Sequence, residues 1–171
     1  SGCGKSTVVN LIAGLYHPQF GKIYIDNRNI NDYNLTTLRK RIGIVTQNAS
    51  FFNDTIFNNI KYGDLAKTNS ELIELTKKTC SYNFIRNIPD QFDSMILERG
   101  KNFSGGQRQR LSISRMLIKY PDILIFDEFD NHLDHETYTE IWKNISDLVR
   151  EKTVIFITHK EPIINIDNII D

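Results

Sequence analysis

Ile123-Leu124-Ile125-Phe126-Asp127-Glu128 is a short apolar run closed by two adjacent carboxylates. Such a run is typical of a parallel strand buried on both faces, where no wet side imposes alternation. Ligands of open α/β sheets collect at the carboxyl ends of the strands, so Asp127 and Glu128 fall on the chemically useful edge. Residues 42–46 (I-G-I-V-T) and 153–158 (T-V-I-F-I-T) read as buried strands of the same kind. Residues 22–25 alternate polar and apolar side chains before the turn-prone Asp26-Asn27 and predict another strand, and a further one can begin over residues 168–170. Helical patterns cover residues 5–15, 35–41, 55–60, 70–80, 82–88, 104–119 and 135–150. Strands alternating with helices predict an α/β fold with a mainly parallel sheet core. The helical stretch at about residues 48–120, between two strands, predicts an inserted α-helical subdomain within a single domain spanning residues 1–171.

The chain opens with Ser1-Gly2-Cys3-Gly4-Lys5-Ser6-Thr7. Gly4, Lys5 and Ser6 match the end of the phosphate-loop pattern G-x-x-x-x-G-K-[ST], whose first glycine would lie upstream. Glycines let backbone N–H groups converge on phosphate oxygens, and the helix that follows offers its positive end to the same anion. Lys5 would reach the β- and γ-phosphates and the Ser6 hydroxyl would ligate Mg²⁺, with Asp127 as the Mg²⁺-linked acid and Glu128 as the base that polarises the attacking water. Taken singly, these motifs are also compatible with a glycine-rich turn and a solvated acidic turn.

Residues 103–107 are F-S-G-G-Q, followed by R-Q-R-L-S-I-S-R. This resembles the signature L-S-G-G-Q of the ATP-binding-cassette (ABC) family, with Phe103 where leucine is usual. A helix start carrying Ser104, Gly105 and Gly106 suits an anion. The resemblance implies that the anion is the γ-phosphate of an ATP held by a second nucleotide-binding domain, homologous or different, with Gln107 part of the same motif. It also implies a P-loop NTPase fold. Three more positions match the family residue by residue. Gln47 follows the strand I-G-I-V-T as the Q-loop glutamine does, within reach of Mg²⁺ or the attacking water. Asp134, in H-L-D, resembles the D-loop aspartate, and His159, in F-I-T-H, the switch histidine. His17, His132 and His135 lack such support and read as loop or helix-start polar residues.

Composition sets limits on this reading. The 171 residues hold 21 basic and 21 acidic side chains, a formal balance without the basic footprint of a nucleic-acid binder. No apolar run approaches the ~18 residues of a membrane span, and two cysteines make no disulfide framework, which fits a reduced cytosolic setting. Because the sequence opens inside a motif, it reads as part of a longer chain. Residues 51–60 (F-F-N-D-T-I-F-N-N-I) and 98–100 (E-R-G) resemble ABC exporters, in which membrane and nucleotide domains are fused and the E-R-G segment touches loops of the membrane domain. That resemblance implies ATP hydrolysis driving export, a transmembrane domain upstream and a place on the cytosolic face of a membrane. N-H-L-D at residues 131–134 instead resembles soluble members acting on ribosomes or DNA. An importer ATPase subunit is the third class, and E-R-G argues against it.

Overall fold

The fold was obtained as a computed structural model, which describes residues 4–158 and 167–168. In chain order, α1 (Lys5–Ile12) precedes a hairpin of β1 (Tyr24–Ile25) and β2 (Arg28–Asn29); α2 (Leu35–Arg41) then runs directly into β3 (Ile42–Val45). Next come β4 (Asp54–Thr55), α3 (Ile56–Lys61), α4 (Asn69–Lys78), α5 (Tyr82–Ile85), β5 (Met95–Ile96) and α6 (Gly105–Leu117). The chain returns to the sheet in β6 (Ile123–Asp127), crosses by α7 (His135–Val149) and ends its described regular structure in β7 (Thr153–Ile157).

The sheet has the order β3-β6-β7 and is parallel throughout, as the three apolar runs predict. Strand alternation sends the side chains of β6 to opposite faces. Ile123 and Ile125 pack with Val9, Leu38 and Ile42, whereas Leu124 and Phe126 join the larger core with Ile113, Leu117 and Trp142. Both faces are dry, which is why the run shows no polar alternation. Gly43 of β3 lets α6 approach closely: a Cβ there would lie 2.6 Å from the Met116 sulfur and 2.8 Å from Pro121.

Several elements differ in length from the sequence expectation, each for a local reason. The helix expected over residues 5–15 stops at Ile12, because Gly14 takes φ +64° and the Leu15 N–H closes back on the Asn10 carbonyl at 2.8 Å. The helix expected over residues 70–80 ends at Lys78 by the same device, with Cys80 left-handed and Ser81 N–H on the Thr76 carbonyl; its start is a capping box of Thr68 and Glu71. The strand expected over residues 22–25 is reduced to Tyr24–Ile25, turned by Asp26 and Asn27, both with positive φ as a two-residue primed turn requires. The antiparallel pair β4–β5 inside the helical segment is new, since two-residue strands carry no readable period. Of the strand suggested at residues 168–170, Ile169 and Ile170 lie outside the described residues. Among the described residues no helix is long and apolar enough to cross a membrane.

Asn59 explains part of the segment 51–60. It is fully buried. Its amide oxygen accepts from the Phe52 N–H at 2.9 Å, and its Nδ2 lies 3.0–3.2 Å from the carbonyls of Phe52, Asp54 and Thr55. One side chain therefore satisfies backbone groups from Phe52 to Thr55 that the two-residue ladder of β4 with β5 leaves over. Asn59→Leu should destabilise the protein by about 1–3 kcal/mol in urea unfolding, because buried backbone groups lose their partners. A loss under about 0.5 kcal/mol, typical of a surface change, would contradict this account.

Candidate active site

The carboxyl edge of the sheet gathers the sequence-predicted groups. Val45 pairs with Phe126, and Asp127 with Ile157, so the residues that follow the three strands emerge side by side. Gln47 leaves after β3, Glu128 after β6, and Thr158 after β7, next to His159. Ser1, Gly2, Cys3 and His159 lie outside the described residues. Gly4 caps α1 with φ +86°, a conformation that side-chain-bearing residues rarely adopt. Ser6 and Thr7 are exposed in the first turn of α1, where N–H groups have no acceptor within the helix.

Lys5 and the two carboxylates share this edge. Lys5 Nζ lies 3.7 Å from Glu128 Oε1. Glu128 is left-handed (φ 47°, ψ 32°), so the chain turns out of β6 at this residue, and its N–H donates to the Ile157 carbonyl at 2.8 Å. Asn131 Nδ2 donates to Glu128 Oε2 at 3.3 Å, fixing the carboxylate from the other side. Partial burial holds the Asp127 carboxyl above its ordinary pKa; the Glu128 charge adds to that, and Lys5 opposes it. A half-buried carboxylate with too little positive charge around it is a natural cation ligand. Together with the Ser6 hydroxyl it is a hard oxygen donor set of the kind Mg²⁺ prefers.

The signature motif lies at the start of α6. Ser104 caps the helix in a reciprocal box: Ser104 Oγ accepts from the Gln107 N–H at 3.2 Å, and Gln107 Oε1 accepts from the Ser104 N–H at 2.9 Å. The Gln107 oxygen is therefore occupied in building the helix end, and the Ser104 O–H is the group left to donate outward. Gly105 and Gly106 are small for a packing reason as well. A Cβ on Gly105 would lie 3.0 Å from the His132 ring, and one on Gly106 would lie 2.8 Å from the His132 carbonyl. Phe103 is buried, its ring 6.2 Å from that of Phe84, so the bulkier side chain is absorbed by the core. Asp134 caps α7, accepting from the Thr137 N–H at 2.8 Å and its hydroxyl at 2.9 Å, and the Thr137 N–H holds its pKa below the ordinary range.

Three neighbours of the site were not singled out by the sequence. Buried Asp130 accepts from the Thr158 hydroxyl at 3.1 Å, steadying the residue that precedes His159. His132 fills the space over the signature glycines. Arg110 ties α6 to the end of α4 through the Cys80 carbonyl at 2.8 Å and sits 4.8 Å over the Phe84 ring. A cleft of about 480 Å³ opens between the Gln47 loop and α6, lined in part by Arg99, Lys101, Gly105, Arg108 and His132; its charged lining residues are all basic.

The chain resembles known proteins over most of its length. The family described as ABC transporter matches residues 1–131. The chain is 43% identical over 171 residues to an ATP-dependent lipid A-core flippase of Syntrophus aciditrophicus, covering 99% of this chain and 28% of the relative. It is 40% identical over 162 residues to the mitochondrial iron-sulfur clusters transporter ATM1 of Gibberella zeae, covering 94% and 23%. Among solved structures, a bacterial Atm1-family ABC exporter with ATP bound superimposes with a TM-score of 0.90 at 39% identity, covering 94% of this chain and 28% of that one. The chain thus spans about a quarter of the length of the relatives it matches.

The state of Asp127 has a measurable consequence. The folded form holds the Asp127 proton more tightly than the unfolded chain does, so stability falls as pH rises through the raised pKa, and the full penalty is present at neutral pH. Asp127→Asn should therefore raise the urea midpoint of the nucleotide-free protein at neutral pH, and the gain should vanish in acid. An unchanged or lower midpoint would show that Lys5 already compensates the charge.

Proposed function

Because this chain belongs to the ABC transporter family, we propose that it is the ATP-hydrolysing cassette of an exporter, working on the cytosolic face of a membrane. The observation that carries the chemistry is the convergence of Lys5, Asp127 and Glu128 at one sheet edge beside a helix start. Lys5 and the first-turn N–H groups of α1 hold the phosphates of ATP. Ser6 and Asp127, with Gln47, hold Mg²⁺, which supplies neutralisation of the negative charge on the phosphate oxygens. Glu128, fixed by Asn131, orients the water that attacks the γ-phosphorus and takes up its proton, and the bond to the bridging oxygen breaks to leave ADP and phosphate. His159 and Gln47 contact the γ-phosphate from the ends of the neighbouring strands.

The partners follow from the same reading. The Ser104 end of α6 receives the ATP of a second cassette, with Asp134 near that junction, so each nucleotide is shared across a two-fold interface. Closure of the pair moves a transmembrane domain that belongs to the longer protein, and residues 48–120 act as the helical subdomain between the two. N-H-L-D at residues 131–134 fits this role without a soluble function, since His132 packs on the signature glycines. The cargo is chosen outside this chain. Relatives of similar identity are named for iron-sulfur clusters and for lipid A core.

Two experiments test the proposal in the full-length protein. Glu128→Gln should keep ATP binding and lower turnover by at least about a hundredfold, while Lys5→Ala should weaken nucleotide binding itself; parental turnover in Glu128→Gln would remove Glu128 from the mechanism. For the shared site, Ser104→Arg chains are mixed with Lys5→Ala chains. Both lesions fall in one composite site of the mixed dimer and neither in the other, so nucleotide trapping should reappear at one site per dimer where both parental dimers trap none. Trapping by the Ser104→Arg parent alone would overturn the sharing.

A further inference from the structure

The loop that carries Gln47 is held at both ends by one helix. β3 ends at Val45, and the next carbonyl, that of Thr46, accepts from Gln109 Nε2 at 3.2 Å. At the far end of the loop the Ser50 carbonyl accepts from the Arg115 guanidinium at 2.8 Å. The same guanidinium lies 4.9 Å over the ring of Phe51, which is itself buried in the larger core. Between these points Thr46 Oγ1 donates to the Asn48 carbonyl at 3.2 Å, folding the loop over its own root. Both anchors belong to α6, six residues apart, whose first turn is the signature.

Neither anchor is explained by packing alone. Gln109 is 1% exposed, on the helix face that Ile113 and Met116 fill with apolar side chains. A buried amide is kept where its hydrogen bond matters. Burial depresses the Arg115 pKa, and among the described residues no carboxylate pairs with it, so the charge is retained at a cost for a carbonyl and a ring. The Arg115 carbonyl also faces Gly63 so closely that a Cβ there would lie at 2.2 Å, which fixes this turn of α6 against the end of α3.

We propose that Gln109 and Arg115 are positioning residues that bind the Gln47 loop to the signature helix, so that Gln47 moves with α6 rather than with the sheet edge it grows from. This rests on the reading of Gln47 as a group that meets the γ-phosphate end of ATP. Occupation of the Ser104 end of α6 by the partner's nucleotide then sets the reach of Gln47 toward the nucleotide bound on its own chain. The effect falls on the reacting complex and not on the initial capture of ATP, which in this reading is the work of Lys5 and the first turn of α1.

The test measures kcat and KM for ATP in the full-length protein for Gln109→Met and Arg115→Met, each alone and in a Gln47→Ala background, with Arg115→Lys as the conservative variant. The Met variants should lower kcat about tenfold with KM changed by less than about twofold, the signature of an interaction realised after binding. In the Gln47→Ala background neither should lower kcat further, since their effect passes through Gln47. Arg115→Lys, which keeps a charged donor, should recover most of the rate. A parental kcat in both Met variants, a parallel rise in KM, or a further loss in the Gln47→Ala background would overturn the proposal. If Arg115→Met does not fold, the near-isosteric Gln109→Met decides by the same criteria. A parental rate in Gln47→Ala beside an inactive Glu128→Gln would overturn the clamp alone, whereas parental turnover in Glu128→Gln would mark failure of the catalytic reading.

Discussion

The two dry faces of β6 are the constraint on which the rest depends. The strand is paired on both sides, with β3 and β7, and has buried side chains above and below. Phe126 alone meets the rings of Phe129, Trp142 and Phe156 at centroid separations of 4.8–5.3 Å. Burying a ring of this size contributes about 2–3 kcal/mol, and aromatic pairs add about 0.5–1.5 kcal/mol each. A strand held this firmly cannot slip, since a shift of one residue would exchange its two faces. Its end is therefore a fixed point in space, and Asp127 and Glu128 inherit that precision. The parallel registers extend it to the residues that follow β3 and β7.

α6 does for the helical side what β6 does for the sheet. It packs on β3 at Gly43, on α3 at Gly63, and on the segment after β6 through Gly105 and Gly106, in each case where a missing side chain permits close approach. Its polar residues then reach out of this packed core to backbone carbonyls: Gln109 to Thr46, Arg110 to Cys80, Arg115 to Ser50. One helix thus holds the backbone of loops on two sides, and its first turn and the Gln47 loop are parts of one packed unit.

Much of this is legible in the sequence, and the reasons are specific. Residues 42–46 and 123–126 were legible as short apolar runs of strand length rich in isoleucine, and residues 153–158 read the same way, although β7 is only part-buried. Ser104 marked a real helix start because an N-cap is a local bargain between one side chain and the next turn. What stayed hidden was non-local. The β4–β5 pair joins residues 54–55 to 95–96, and no two-residue strand leaves a period. Gln109 looked like one polar residue in a polar run, Q-R-Q-R, and only the packing of α6 on β3 shows which of the four is buried. His132 read as a loop histidine because its contact with Gly105 depends on how α6 crosses the segment after β6.

The carboxyl edge of the sheet is built from groups that the fold tolerates rather than prefers. Glu128 sits in a left-handed conformation that costs a residue with a side chain about 1 kcal/mol, and Asp127 is partly buried beside it with its charge incompletely offset. Neither arrangement would persist at the end of a loosely packed strand, which would relax to relieve both. They persist because the aromatic cluster around Phe126 lies immediately beneath and resists that relaxation. The electrostatic strain is also what suits the edge to its proposed task, since a carboxylate short of positive charge gains most from a divalent cation. Stability invested in the middle of β6 thus holds in place, one residue later, a geometry and a charge that would otherwise relax.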